Sequence, residues 1–199
     1  MYQRFAIFLA LVLAPPALLA DPDCFPETVL PGNSFPAVEF TTSMGTIVVE
    51  LNRNRAPATV NNFLRYVLDG HYDNTIFHRV MADFVVQGGG YTTDIEERPV
   101  QEPVLNESGN GLKNNSGTIA MARYNDPHTA TNQFYFNLKN NDSLNPGAKS
   151  WGYTVFGDVI SGNDVVQAIG KVETGFSEAL NAQDVPVKPV VLISAKVQE

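Results

Sequence analysis

Only two stretches of this chain carry apolar residues at helical spacing, and this strongly limits the folds open to it. The first begins at Pro57 and stops at Gly70, and the second runs from Asp164 to Ile169 behind the capping residue Asn163. Most remaining segments are short, rich in β-branched and aromatic residues, and separated by turn residues. The pattern predicts a mainly β domain, a closed antiparallel barrel capped by two α-helices, because closure removes exposed sheet edges.

The ends of the predicted domain follow from its outermost strands. Val38 to Thr42 and Thr46 to Leu51 flank a short turn and predict a β-hairpin, while Val190 to Val197 predicts a closing strand. Residues 21–36 contain four prolines and little periodicity, which is typical of a linker or flexible tail. We therefore place the folded domain at residues 37–199.

Residues 1–20 have the layout of a secretory signal peptide. Arg4 precedes an apolar run from Phe5 to Leu13, and Ala20 offers a cleavage point before the first acidic residue. The run is shorter than the roughly 20 apolar residues that span a bilayer, and no later segment is a better candidate. We expect cleavage after Ala20 and a soluble, periplasmic mature protein.

Charge and composition argue against several classes of partner. The formal net charge is −8 at pH 7 without a basic patch, so nucleic acid is not expected to bind, and a soluble monomer fits this charge. The single cysteine, Cys24, excludes an internal disulfide and is read as a free thiol on the tail. No nucleotide or cofactor motif occurs. We expect neither a cofactor nor a metal site, since the histidines are scattered: His71, His78 and His128.

The stretch from Phe77 to Gly90 carries the candidate chemistry. Two strand-like halves flank a short turn at Met81–Asp83, with Arg79 and Gln87 set among apolar residues. An isolated arginine beside a phenylalanine is most often a surface residue with a packed stem. Here the run Gly88–Gly90 indicates room for a bound chain. The combination favours a groove for an extended, uncharged peptide.

The same stretch, with Phe-His-Arg-Val, then Phe84, then Gln-Gly-Gly, resembles the signature of the cyclophilin family of peptidyl-prolyl isomerases. Three further blocks resemble the family in the same order: Gly117–Arg123, Asn132–Asn137 and Val155–Val159. The resemblance covers the chain from about Ala37 to about Val197. It implies an eight-stranded barrel and an enzyme of the bacterial exported type. Its substrates would be proline-containing polypeptides, such as unfolded or exported proteins.

The chemistry of prolyl isomerisation suggests a role for Arg79. The peptide bond before proline rotates over a barrier of roughly 20 kcal/mol because its partial double bond must be broken. In the twisted transition state the prolyl nitrogen gains a lone pair, which a guanidinium can stabilise with a permanently charged donor. We assign the catalytic role to Arg79. A proline-binding module or chaperone with little catalysis is the alternative, and it would not need this arginine.

Resemblance also implies the substrate-binding residues. Phe84, Val85, Tyr135 and Leu144 would line the proline pocket; Gln87, Ala122 and Arg123 would hold the substrate, Arg123 through its backbone; Met121, Gln133 and Tyr153 would lie beside them. Ordinary core packing is the more frequent role for any one of the apolar residues Phe84, Met121 and Leu144. Strand alternation also sends Phe84 and Val85 to opposite faces, so both can line one site only if the strand bends or begins there.

One position departs sharply from the family pattern. Ser143 precedes Leu144 where the family usually has tryptophan, or phenylalanine in many bacterial members. The resemblance implies that cyclosporin, a macrocycle bound by many cyclophilins, contacts that aromatic ring. We therefore expect weak inhibition by cyclosporin. Trp151 is a possible substitute, but it belongs to the block Ser150–Phe156 and is expected to pack there.

Overall fold

The structure is a computed structural model that describes residues 29–198. The predicted signal peptide, Cys24 and the first half of the predicted linker lie outside the described residues. The strands are β1 (Ala37–Thr42), β2 (Gly45–Leu51), β3 (Thr75–Ile76), β4 (Arg79–Met81), β5 (Val85–Gly88), β6 (Thr118–Met121), β7 (Phe134–Asn137), β8 (Val155–Ser161), β9 (Thr174–Ser177), β10 (Ala182–Pro186) and β11 (Val191–Val197). The helices are α1 (Pro57–Leu68), α2 (Asn163–Ile169) and a short 3-10 helix (Asp142–Leu144).

Nine strands form one strongly curled sheet in the order β3-β11-β1-β2-β8-β6-β7-β5-β4, and β9 pairs with β10 in a separate hairpin. The prediction of a mainly β domain with two α-helices is confirmed, but the prediction of a closed, eight-stranded barrel is wrong. All eight pairings in the large sheet are antiparallel. The two edge strands therefore run in the same direction and cannot join by an antiparallel ladder. The result is an open half-barrel.

The two helices begin differently from the simplest expectation. Pro57 starts α1 as predicted, but the free N–H groups of its first turn are bound by Glu107, which accepts hydrogen bonds from the backbone of Ala58 (3.1 Å) and Thr59 (2.9 Å). This contact ties the long β5–β6 loop to the helix. Asn163 is the first residue of α2 rather than its cap. The cap position is Gly162, which has no side chain to make a capping bond.

Alternation along the strands separates two apolar clusters. The main core lies between the concave face of the sheet and α1, and its rings include Phe63, Phe134 and Phe136, all buried. Tyr135, between the last two, faces the other side of β7 and packs in a smaller cluster with Val85. Most of the predicted site residues gather on this second face. Among residues 29–198, no helix is long and apolar enough to cross a membrane.

Candidate functional site

Nine of the eleven predicted site residues line one cavity of about 400 Å³ on the outer face of the sheet. They come from β4, β5, β7, the end of β6 and the loop before β8: Arg79, Phe84, Val85, Gln87, Ala122, Arg123, Tyr135, Leu144 and Tyr153. Gln133 lines an adjoining cavity of about 180 Å³ that shares Gln87, Ala122 and Arg123 with the first. The structure therefore brings together side chains that the chain order separates widely.

Met121 is the exception. Its side chain is only 1 % exposed and packs in the main core with Ile119, whereas Ala120 between them faces the second cluster. Strand alternation therefore turns Met121 away from the cavity. The prediction that its side chain lies beside the substrate requires this correction.

Phe84 and Val85 both reach the cavity because the strand begins between them. Phe84 belongs to the tight turn after β4, where its N–H donates to the carbonyl of Met81 (3.0 Å) and Asp83 adopts a positive φ of 54°. β5 starts at Val85. The turn thus changes the direction of the backbone before the alternation of β5 begins. Phe84 and Val85 can line the same cavity because the strand begins at this point, as the sequence analysis required.

The glycines after Gln87 serve a different purpose from the one predicted. A β-carbon on Gly88 would lie 2.8 Å from Cδ1 of Phe77, and one on Gly90 would lie 2.6 Å from Nε2 of Gln133. These glycines therefore make room for the protein's own side chains rather than for a ligand. Gly90 in particular allows Gln133 to reach Gln87 across the sheet.

Arg79 points its guanidinium along the rim of the cavity towards neutral acceptors. It lies opposite Gln87 in the β4–β5 ladder, and its Nη1 donates to Oε1 of Gln87 at 3.3 Å. Gln87 in turn donates from Nε2 to Oε1 of Gln133 at 2.8 Å. The other nitrogen, Nη2, contacts the sulfur of Met81 at 2.8 Å. Because Gln87 and Met81 carry no charge, neither of these two partners neutralises the guanidinium.

A buried amide network supports the wall of the cavity. The Tyr135 hydroxyl donates to Oδ1 of Asn114 (2.8 Å), and Asn114 donates from Nδ2 to the carbonyl of Leu144 (3.2 Å). Asn137 and Asn141 extend the network, with 2.8 Å between Nδ2 of Asn141 and Oδ1 of Asn137. Burial raises the pKa of Tyr135 well above its ordinary value, so the phenol stays a neutral donor. Residue spacing could not reveal this network, because distant segments supply its members.

Arg123 uses its side chain to join two loops. Its Nε and Nη2 donate to the carbonyls of Gly152 (3.2 Å) and Trp151 (2.9 Å), and Nη1 donates to that of Tyr124 (2.8 Å). The guanidinium carbon also lies 4.4 Å from the ring centroid of Tyr153. Arg123 therefore holds a cavity wall in place with its side chain, which leaves only its backbone well placed to meet a substrate.

Residues 37–197 match the family model "Cyclophilin type peptidyl-prolyl cis-trans isomerase/CLD". The chain belongs to this family. It is 56 % identical over 163 residues to peptidyl-prolyl cis-trans isomerase cyp18 of Streptomyces antibioticus, with 80 % of this chain and 97 % of the relative covered. It is 47 % identical over 165 residues to peptidyl-prolyl cis-trans isomerase B of Escherichia coli K12, with 81 % and 99 % covered. Our cyclophilin is therefore a peptidyl-prolyl cis-trans isomerase.

A solved structure shows the same fold. The crystal structure of a Cryptosporidium parvum cyclophilin superposes with a TM-score of 0.65, covering 83 % of this chain and 98 % of that one at 22 % identity. At this identity the likeness concerns the fold alone. The cyclophilin fold predicted from the sequence is thus confirmed, with the open rather than closed sheet described above.

His78 is a buried, neutral neighbour of the cyclophilin site. It is 7 % exposed, its ring packs 4.8 Å from that of Tyr91, and its Nδ1 has no hydrogen-bond partner within the described residues. Burial, and secondarily the charge of Arg79, lowers the pKa of His78 to about 4. The imidazole therefore does not compete with Arg79 as a cation near neutral pH.

This burial predicts an acid-sensitive fold. An unfolded histidine has a pKa of about 6.5, so the unfolded chain binds protons more readily than the folded one between pH 6.5 and about 4. The contribution of His78 to the free energy of unfolding is complete above pH 6.5 and should fall by about 3 kcal/mol on acidification from pH 7 to pH 4. Urea unfolding of wild type and His78→Gln across this range measures it. Parallel pH curves for the two proteins would contradict the assignment.

Proposed function

We propose that Arg79 is the catalytic residue of this isomerase and that the 400 Å³ cavity holds the substrate proline. The observation that carries the proposal is the position of the Arg79 guanidinium, whose hydrogen-bond partners carry no charge, at the rim of a cavity with both apolar and polar walls. The proline ring is apolar and its nitrogen carries no hydrogen, so it fits walls made by Phe84, Val85 and Leu144. Arg79 is then the charged donor available to the substrate, since the Arg123 guanidinium already donates to backbone carbonyls.

The reaction requires no covalent chemistry. In the planar cis and trans forms the prolyl nitrogen shares its electrons with the carbonyl, and at the twisted midpoint it regains a basic lone pair. A donor that contacts the nitrogen only at that point lowers the barrier without tightening ground-state binding. A difference of about 4 kcal/mol between these states would give about a thousandfold acceleration.

The surrounding contacts support this role. The side-chain amide of Gln87 accepts a hydrogen bond from the Arg79 guanidinium and donates one to Gln133. These two hydrogen bonds fix the position of the Gln87 amide. A positioned amide can bind a substrate carbonyl while the other side of the bond turns. Protease-coupled turnover of a short X-Pro peptide by wild type and by Arg79→Ala tests the proposal. Unchanged turnover in the variant would favour a binding module or chaperone instead.

We further propose that the enzyme is a monomeric, exported cyclophilin of the bacterial type. The motivation is the leader in residues 1–20, followed by the proline-rich linker in residues 21–36 and the domain in residues 37–199. The bacterial relatives reported above add support, since they match the domain at 47–56 % identity. The clients would be unfolded or exported proteins, isomerised in the periplasm.

Export predicts a defined amino terminus. Cleavage after Ala20 should yield a mature chain that begins at Asp21 and is released from native cells by osmotic shock. Amino-terminal sequencing of the purified protein, together with its intact mass, measures this outcome. Replacing Leu11 by Arg should block processing, because a charge interrupts the apolar run. An intact Met1 on cytoplasmic protein would contradict the proposal.

A further inference from the structure

Met81 lies beside the proposed catalytic arginine. It lies two residues after Arg79 on β4, so both side chains project from the same face of the strand. The Met81 sulfur lies 2.8 Å from Nη2 of Arg79. β4 is an edge strand of the large sheet and Met81 is only half-buried. A small solute such as hydrogen peroxide can therefore approach the sulfur.

The chemical state of this sulfur decides how firmly it holds Arg79. A thioether is a weak hydrogen-bond acceptor, so the guanidinium can leave it for a substrate at little cost. A sulfoxide is polar and carries a strong acceptor oxygen on the same side chain. An acceptor of that strength binds a charged donor much more firmly. Oxidation would thus replace a weak acceptor by a strong one, and the sulfoxide oxygen would compete with the substrate for the Arg79 guanidinium.

We propose that Met81 is an oxidation site, at which a peroxide forms a sulfoxide that captures Arg79 and slows isomerisation. A sulfur lone pair attacks one oxygen of hydrogen peroxide, and the S–O bond forms as the O–O bond breaks. The attacked oxygen gives its proton to the second oxygen, which leaves as water, and the sulfoxide remains. The sulfur loses two electrons and the peroxide gains them. A thiol-dependent methionine sulfoxide reductase reverses the reaction. The inference rests on the proposed catalytic role of Arg79.

The chain provides its own control residue. It has four methionines, of which Met1 lies outside the described residues and Met121 is 1 % exposed. Met44, in the turn between β1 and β2, is 39 % exposed and lines neither of the two site cavities. It should react with peroxide about as readily as Met81 but without effect on turnover. Met44→Leu and Met81→Leu therefore form a matched pair.

The experiment treats the mature protein with hydrogen peroxide and follows turnover and the mass of each methionine peptide together. Turnover of wild type and Met44→Leu should fall by about tenfold to a hundredfold as the Met81 peptide gains one oxygen. Methionine sulfoxide reductase with a thiol should restore it. Turnover of Met81→Leu should be the same after treatment with peroxide as before it. Met81→Gln, whose amide oxygen is a permanent strong acceptor, should be slower than Met81→Leu without any peroxide.

Two outcomes in the wild-type and Met81→Leu proteins would overturn the inference. One is unchanged turnover in wild type whose Met81 is fully oxidised, and the other is an equal loss of turnover in Met81→Leu. Thermal unfolding of the oxidised protein checks the fold, and Met81→Gln tests capture even if oxidation lowers stability. The residual turnover of Arg79→Ala should be insensitive to peroxide, because the captured group is gone. A proportionate further loss in that variant would refute capture, whereas full activity of untreated Arg79→Ala would refute the catalytic role instead.

Discussion

Replacing Arg79 by Ala is expected to lower turnover of an X-Pro peptide by about two to three orders of magnitude, or about 3 to 4 kcal/mol. The Arg123 guanidinium also lines the cavity, but it donates to backbone carbonyls. The Arg79 guanidinium is the other charged donor, and its side-chain contacts are the neutral groups of Gln87 and Met81. Its loss removes an interaction that strengthens as the prolyl nitrogen twists out of conjugation. Protease-coupled turnover at substrate concentrations below KM reports kcat/KM directly.

Matched variants separate this effect from a loss of structure. Arg55→Ala removes an exposed arginine whose Nη1 contacts the carbonyl of Asn110 and which lines neither site cavity, so its turnover should stay within about twofold of wild type. Arg79→Lys keeps the positive charge but lacks the rigid, planar set of donors, so its turnover should lie between those of wild type and Arg79→Ala. Folding is checked by far-UV circular dichroism and urea unfolding. Near-normal turnover of folded Arg79→Ala would refute the mechanism.

The sequence predicted the parts of this molecule that depend on local pattern. The family resemblance placed Tyr135 in the pocket, and in the structure alternation along β7 puts it on one face and its phenylalanine neighbours on the other. Pro57 marks the start of α1 because its fixed φ suits a first helical position. The motif from Phe77 to Gly90 located the candidate site, and four of its side chains meet five predicted side chains from other segments in one cavity.

What the sequence could not predict depends on contacts between distant segments. Closure of the sheet requires an even number of antiparallel strands, and the short strand β3 raises the count to nine. The network around Asn114 joins segments more than twenty residues apart, so no spacing rule identifies it. Met121 shows the limit of transferring a role by motif, because strand alternation turns its side chain into the core.

Cyclosporin is expected to inhibit this enzyme poorly. In cyclophilins with tryptophan ahead of the conserved leucine, the resemblance implies an indole contact with the macrocycle, and here Ser143 offers neither apolar area nor an indole donor. Ser143 is exposed in the 3-10 helix, directly before Leu144, which lines the cavity. Loss of a large aromatic contact costs about 2 to 4 kcal/mol, or roughly thirtyfold to nearly a thousandfold in affinity. Titrating the drug against turnover measures this.

The position of Trp151 sharpens the test. Its ring packs edge-to-face on His128, 5.1 Å between centroids, and it is absent from the residues that line the cavity. Trp151→Ala should therefore leave the inhibition constant nearly unchanged, while Ser143→Trp should tighten inhibition because it restores an indole beside Leu144. Peptide turnover should change little in either variant, since Arg79 and the apolar walls are intact. Tight inhibition of wild type that disappears in Trp151→Ala would show instead that Trp151 swings over the groove and supplies the missing ring.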